Sequence, residues 1–177
     1  MTVFSPQSRD ELKRAVDDCL GVSSESECPT RLHGPIGQWD VSQVTDMSNL
    51  FYYHDSFNYD ISKWDVSRVT NMRAMFSNTK FFNQDLSKWD VSRVTSMARM
   101  FFNAKSFKQD LSKWDVSRVT EMDGMFCHTK FSNQDLPKWD VSRVTDMGPL
   151  APARADLATC GVFLAPSTIP GSECMKA

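Results

Sequence analysis

Few residues in this chain of 177 are suited to chemistry, and most of those recur at a fixed step. Cys127 and His128 are the one adjacent cysteine–histidine pair. A Cys–His nucleophile needs hydrogen-bond reach and a third group to orient it. Neighbours at i and i+1 on a helix point apart, so the pair is not expected to act together. His33 and His54 share no repeat position with His128. No glycine-rich phosphate loop exists, and the GPIG at 34–37 reads as a turn. Neither enzyme activity nor a cofactor is expected.

The five cysteines are Cys19, Cys28, Cys127, Cys160 and Cys174, and no C-x-x-C occurs among them, which argues against zinc. Four form two close pairs. Read as disulfides, Cys19–Cys28 staples the N-terminal segment and Cys160–Cys174 the C-terminal one. That reading implies an oxidising compartment: extracellular, cell surface or an organelle lumen. The other reading is four small apolar side chains in a reducing compartment. Cys127 is the odd thiol.

Asp60, Asp85, Asp110 and Asp135 stand in a column that could hold calcium. The close D-x-D-G spacing of a calcium loop is missing, however. Asp and Asn at turns bond backbone N–H groups of their own and the next copy, so no metal is expected. Thr45, Thr70, Thr95, Thr120 and Thr145 invite an ice-lattice reading. N-capping of a following helix explains them better, and the columns nearby are charged.

What positions these residues is a repeat. WDVSRVTNM at 64–72 returns as WDVSRVTSM at 89–97, WDVSRVTEM at 114–122 and WDVSRVTDM at 139–147, after a looser WDVSQVTDM at 39–47. Trp39, Trp64, Trp89, Trp114 and Trp139 are all the tryptophans, each 25 residues from the next. Met47, Met72, Met97, Met122 and Met147 keep the step, as do Phe51, Phe76, Phe101 and Phe126. A fixed period of this length signals a solenoid. In DLSKWDVSRVTSMARMF, 85–101, the apolar residues Leu86, Trp89, Val91 and Val94 have leucine-rich-repeat spacing. A short strand would bury Trp89 and Val91 and expose Lys88, Asp90 and Ser92. Thr95 would then cap a short helix, with Met97, Met100 and Phe101 at i, i+3, i+4. The expected fold is α/β, a right-handed leucine-rich-repeat-like solenoid of five coils, each a short parallel strand plus a short helix.

Both ends of such an array need a cap. Ser8 and Glu11 form an S-x-x-E capping box. Leu12, Ala15, Val16, Cys19 and Leu20 fall on one helical face, and Gly21 can close the helix. Residues 1–38 are read as an N-terminal cap and loop, 39–148 as the array, and 149–177 as an irregular C-terminal cap or tail. Gly148-Pro149 stops the pattern. Val162, Phe163 and Leu164 are expected to fold back over the last coil, the alternative being a tail docked on another subunit.

The phrase W-D-V-S-x-V-T-x-M-x-x-M-F, joined by F-N-Q-D-L-S, resembles the BspA-type leucine-rich-repeat family of bacterial surface proteins, lipoproteins and algal proteins. The opening RDELKRAVDDCL with GPIGQWDVS also resembles the helix preceding such arrays. The resemblance implies a solenoid, a role in adhesion or protein interaction, and no catalytic residues.

Charge narrows the partners. Residues 39–148 carry 14 Lys+Arg and 14 Asp+Glu, without the basic excess of a nucleic-acid surface. No apolar run approaches the ~18 residues of a membrane span. The opening MTVFSPQSRDELK has no apolar h-region and is not read as a signal peptide. The outward positions stack into columns: Gln38 with the lysines, Asp40 with the aspartates, Ser42 with the serines, and Gln43 with the arginines. Adjacent strands are ~4.8 Å apart, and two carboxylates so spaced repel by about 0.9 kcal/mol in water, which flanking cations cancel. One reading is a self-neutralising face that keeps the chain soluble. The other is a recognition surface on the concave strand face, made by Lys63, Asp65, Arg68, Lys88, Asp90, Arg93, Lys113, Asp115, Arg118, Lys138, Asp140 and Arg143. Arg73, Arg99 and Asp123 vary between copies and can mark a contact made once. The expected function is a non-enzymatic protein-interaction or scaffolding module. The alternatives are a structural subunit of a larger, algal, multi-protein assembly, or a cell-surface adhesin.

Overall fold

The computed structural model describes residues 3–21, 33–130 and 139–146. The stretch after each ladder threonine decides the architecture. Asn49, Ala74, Arg99 and Gly124 take φ of 56°, 51°, 56° and 59°, and Tyr53, Asn78, Asn103 and His128 take 62°, 63°, 55° and 59°. A left-handed residue every fourth position ends both helix and strand. The backbone amides then divide into two sets. Those of Met97, Arg99, Phe101 and Asn103 donate to the carbonyls of Glu121, Asp123, Met125 and Cys127 in the next copy, at 2.7–2.9 Å. The alternate amides of Met100, Phe102 and Ala104 close turns onto Met97, Arg99 and Phe101.

The strand-plus-helix coil is therefore not formed. Among the described residues there is one α-helix, α1 (Arg9–Gly21), one 3-10 turn (Ile36–Gln38), and no strand or sheet. The expected α/β leucine-rich-repeat-like solenoid is overturned by this. Apolar spacing misleads here because a chain of turns shares it with a helix. Met97, Met100, Phe101 and Ala104 are all buried at i, i+3, i+4 and i+7, though no i→i−4 ladder links them. Thr95 caps nothing. Its amide and hydroxyl both donate to the Thr70 carbonyl one copy back, at 2.8 and 3.1 Å. Thr70, Thr120 and Thr145 do the same to Thr45, Thr95 and Thr120.

The copies nonetheless stack in register. Isolated parallel bridges join Asp46, Asn71, Ser96, Glu121 and Asp146 in sequence. The Trp-Asp-Val stretch is also made of turns, with the Trp89 amide on Leu86 and the Val94 amide on Val91. The inward–outward alternation survives this: Trp89 and Val91 are buried, while Lys88 and Asp90 are exposed. The Trp39 indole N–H donates to the Gly34 carbonyl, and each later one finds a carbonyl in the copy before. Trp64, Trp89, Trp114 and Trp139 donate to Ile36, Ile61, Leu86 and Leu111 at 2.9, 3.3, 3.0 and 3.1 Å. Buried indoles are thus satisfied as well as packed.

Beside the tryptophans run two columns of phenylalanine. Phe51, Phe76, Phe101 and Phe126 stack with centroids 5.4, 5.5 and 5.6 Å apart. Phe57, Phe82 and Phe107 form the second, at 5.6 and 6.0 Å. Polar side chains stitch the outside. Asn58 accepts the Asn83 amide and Asn83 the Lys108 amide, while the Gln84 and Gln109 side chains donate back to the Asn58 and Asn83 carbonyls. This accounts for the Asn and Gln of F-N-Q-D.

Helix α1 closes the first copy as its sequence predicts. The Glu11 amide donates to Ser8 Oγ at 3.2 Å, and Glu11 accepts the Gln7 amide at 2.9 Å. Leu12, Ala15, Val16 and Cys19 are buried and Leu20 partly so. Arg9 Nε donates to the Ser48 carbonyl, and the Asp40 amide to that of Phe4. The expectations for Gly148-Pro149, Val162, Phe163 and Leu164 lie outside the described residues.

Two stability outcomes follow. Trp89→Ala should cost about 3–5 kcal/mol in denaturant unfolding, and a loss under about 1 would contradict the packing described. A Cβ on Gly37 would lie 2.3 Å from the Asp60 carbonyl oxygen, whereas one on Gly124 meets only ordinary contacts of 3.5 Å or more. Gly37→Ala should therefore cost about 1–3 kcal/mol by overpacking, and Gly124→Ala about 1 by left-handed strain alone.

Candidate functional site

The charged columns are the candidate site, and the turns of each copy set their geometry. Asp40, Asp65, Asp90, Asp115 and Asp140 each accept the amide of the serine two residues on, at 3.0–3.1 Å. Asp60, Asp85 and Asp110 do so with Ser62, Ser87 and Ser112 at 2.8–2.9 Å. D-x-S therefore makes a side-chain-capped turn twice per copy. Both aspartate columns are structural as well as charged.

These bonds favour the ionised carboxyl. Asp40, Asp60, Asp90, Asp115 and Asp140 are held below the ordinary 3.8 by the serine hydroxyl first and its amide second; at Asp85 the amide leads. Burial opposes this weakly in every case. Asp90 also senses Arg93, which lowers it, and Asp115, which raises it, so successive members of the column interact.

The structure places Lys63, Lys88, Lys113, Asp65, Asp90, Asp115, Asp140, Arg68, Arg93, Arg118 and Arg143 on the exposed surface. Lys138 and Asp135 lie outside the described residues. The arginine column touches itself once, where Arg68 donates to Gln43 at 2.6 Å. Among the described residues the ion pairs are Arg9–Asp10, Lys13–Asp17, Lys80–Asp55, and Arg73 and Arg99 on Asp123, and His54 Nε2 lies 3.2 Å from Asp17 Oδ1. None joins one ladder column to another. The copy-specific Arg73, Arg99 and Asp123 thus do converge, while none of the described ladder cations pairs with a described acid.

The cysteines differ from expectation. Cys127, read as the odd thiol, is disulfide-bonded, and so is Cys19. Cys28, Cys160 and Cys174 lie outside the described residues, so neither expected pairing is decided. A bonded Cys127 has no thiolate to offer as a nucleophile. His128 beside it packs edge-on against Phe102, with centroids 5.4 Å apart. Among the described residues no group of three or more His, Cys, Asp or Glu is placed to hold a metal ion. No helix among them is long and apolar enough to cross a membrane.

Sequence reasoning missed the second phenylalanine column and the turn aspartates of the ladder. Both had a signal: a Phe 18 residues after Trp39, Trp64 and Trp89, and a Ser two after the Asp of every W-D-V-S phrase. A family model described as Mycoplasma protein of unknown function, DUF285, matches residues 22–130 and 88–153. The chain belongs to the DUF285 family. Together the two matches take in every copy of the W-D-V-S phrase. No curated protein and no solved structure matches this DUF285 chain.

The lowered carboxyls set an acid limit. A carboxyl whose folded pKa is depressed contributes stability above its unfolded value of 3.8, and that stability is lost as pH falls through the folded value. The melting temperature should hold level from neutral pH to about 5 and fall below about 4. Asp90→Asn with Asp115→Asn, which keeps the turn acceptor without the charge, should flatten that fall in a pH series of melts.

Proposed function

We propose that this DUF285 chain is a BspA-type repeat protein acting as a non-enzymatic binding or scaffolding module, with the charged ladder as its docking face. The observation that carries the reading is the state of the ladder charges. The carboxylates are fixed by serine amides of their own turns, and the Lys and Arg heads beside them have no ion-pair partner among the described residues. Charges held in place before contact spare a partner part of the ordering cost, and their alternation confers specificity more than affinity. The disulfide-bonded Cys127 removes the strongest nucleophile candidate, in keeping with a role without catalysis. Two bonded cysteines also favour an oxidising compartment.

The test is charge reversal on one face. Lys88→Glu with Arg93→Glu should leave the melting temperature within a few degrees of the parent, because surface substitutions usually change stability by about 0.5 kcal/mol or less. The same variant should lose the proteins that co-purify with the parent from native extract, counted by mass spectrometry. Undiminished capture by a folded variant would reject the ladder as the docking face.

A further inference from the structure

A second surface differs from the ladder in kind. In three copies the two phenylalanines of a pair touch, with centroids 3.8 Å apart for Phe51 and Phe57, 4.1 Å for Phe76 and Phe82, and 4.0 Å for Phe101 and Phe107. The five residues between them form a corner, from which Tyr52, Tyr53, Phe81 and Lys105 reach the surface while Ser77, Asn78, Thr79 and Ala104 stay buried. Successive corners are tied together by Tyr53 to Ser77, Asn78 to Phe102, Phe81 to Asp55 and Ser106 to Lys80, at 3.1, 2.8, 3.3 and 3.0 Å. They make one continuous edge along the stack.

Two observations on this edge coincide. Lys80, Lys105 and Lys130 occupy one corner position, where the first copy has Asp55. Asp55 is spent on Lys80, and Lys105 and Lys130 are exposed and form no ion pair among the described residues. The ladder face balances each cation with an acid column; this edge does not. The second observation is apolar. Of the four exposed large hydrophobic residues among the described ones, three lie here: Tyr53 at 64%, Phe81 at 63% and Tyr52 at 43%. The exposed aromatics fall in the first two copies and the unpaired cations in the next two along the same edge, which is the composition of an interface core and its rim.

We propose that this corner edge docks an acidic α-helix of a partner protein, its carboxylates on Lys105 and Lys130 and its apolar side chains on Tyr53 and Phe81. Spacing selects the helix. Equivalent phenylalanine rings of successive copies lie 5.4–6.0 Å apart, and helix residues at i, i+3 and i+4 lie about 5–6 Å apart. One stripe of Glu can therefore meet Lys105 and Lys130 in successive copies. Nucleic acid is disfavoured, since three lysines release few counterions and the array as a whole is neutral. The edge is separate from the ladder face and does not depend on it.

The experiment uses the full chain and a fluorescein-labelled synthetic helix with Glu at i, i+4 and i+7 beside a Leu stripe, read by fluorescence anisotropy. Saturable binding is expected, about tenfold weaker when Gln replaces Glu in the peptide and when Lys105→Glu is combined with Lys130→Glu. Tyr53→Ser should weaken it too, while Lys88→Glu with Arg93→Glu should not, and melting curves confirm that each variant is folded. The proposal is overturned if the parent shows no saturable binding, if the ladder variant loses as much as the edge variant, or if an oligo-dT probe binds more tightly than the Glu helix.

Discussion

The architecture depends on where alternate backbone amides go. After each ladder threonine, one N–H in two is committed to a carbonyl 24 residues further on, and the amide between closes a local turn. A buried amide left without its carbonyl costs about 1–3 kcal/mol, so a one-residue insertion in any copy would misplace a whole row. The unbroken 25-residue step is the mark of that constraint. It also explains the left-handed backbone at Ala74 and Arg99, residue types that do not choose it. The chain must turn there for both sets of amides to be met, and stacking supplies the energy to hold it.

Packing follows from the same registration. Once the copies lie in step, Trp, Phe and Met fall above their equivalents, and each indole N–H reaches the apolar residue that begins the previous W-D-V turn. The apolar core is consequently continuous from helix α1 to Trp139, Val141 and Val144 of the fifth copy. The ladder charges are then set at equal intervals without being chosen for one another.

Much of this was legible and some was not, for physical reasons. Helix α1 announced itself through Ser8 and Glu11, because a capping box is a local event. The inward tryptophans followed from the repeat and the size of the ring. The coil itself was misread. Met97, Met100 and Phe101 have the spacing of a helix face, and consecutive turns bury that same set. Only dihedral angles separate the two, and Ala74 and Arg99 gave no hint of theirs. Thr95 was read as a cap because capping is the commonest use of threonine before an apolar run, whereas here it is a rung between copies. The exposure of the described charged positions followed from the same alternation that turned the tryptophans inward. That the aspartates hold turns was recognised for Asp60, Asp85 and Asp110 and overlooked for Asp90 and its equivalents, although D-x-S occurs in both places. The bond at Cys127 could not be foreseen, since sequence does not state which thiols meet.

The threonine rungs and the rows of alternate amides reach only from one copy to the next. Each layer therefore senses its neighbours and not the total. An in-frame duplication of one layer would lengthen the molecule without asking any existing side chain to change. Such a gene acts as an adjustable ruler, on which selection can add or remove graduations while the terminal helix stays the same.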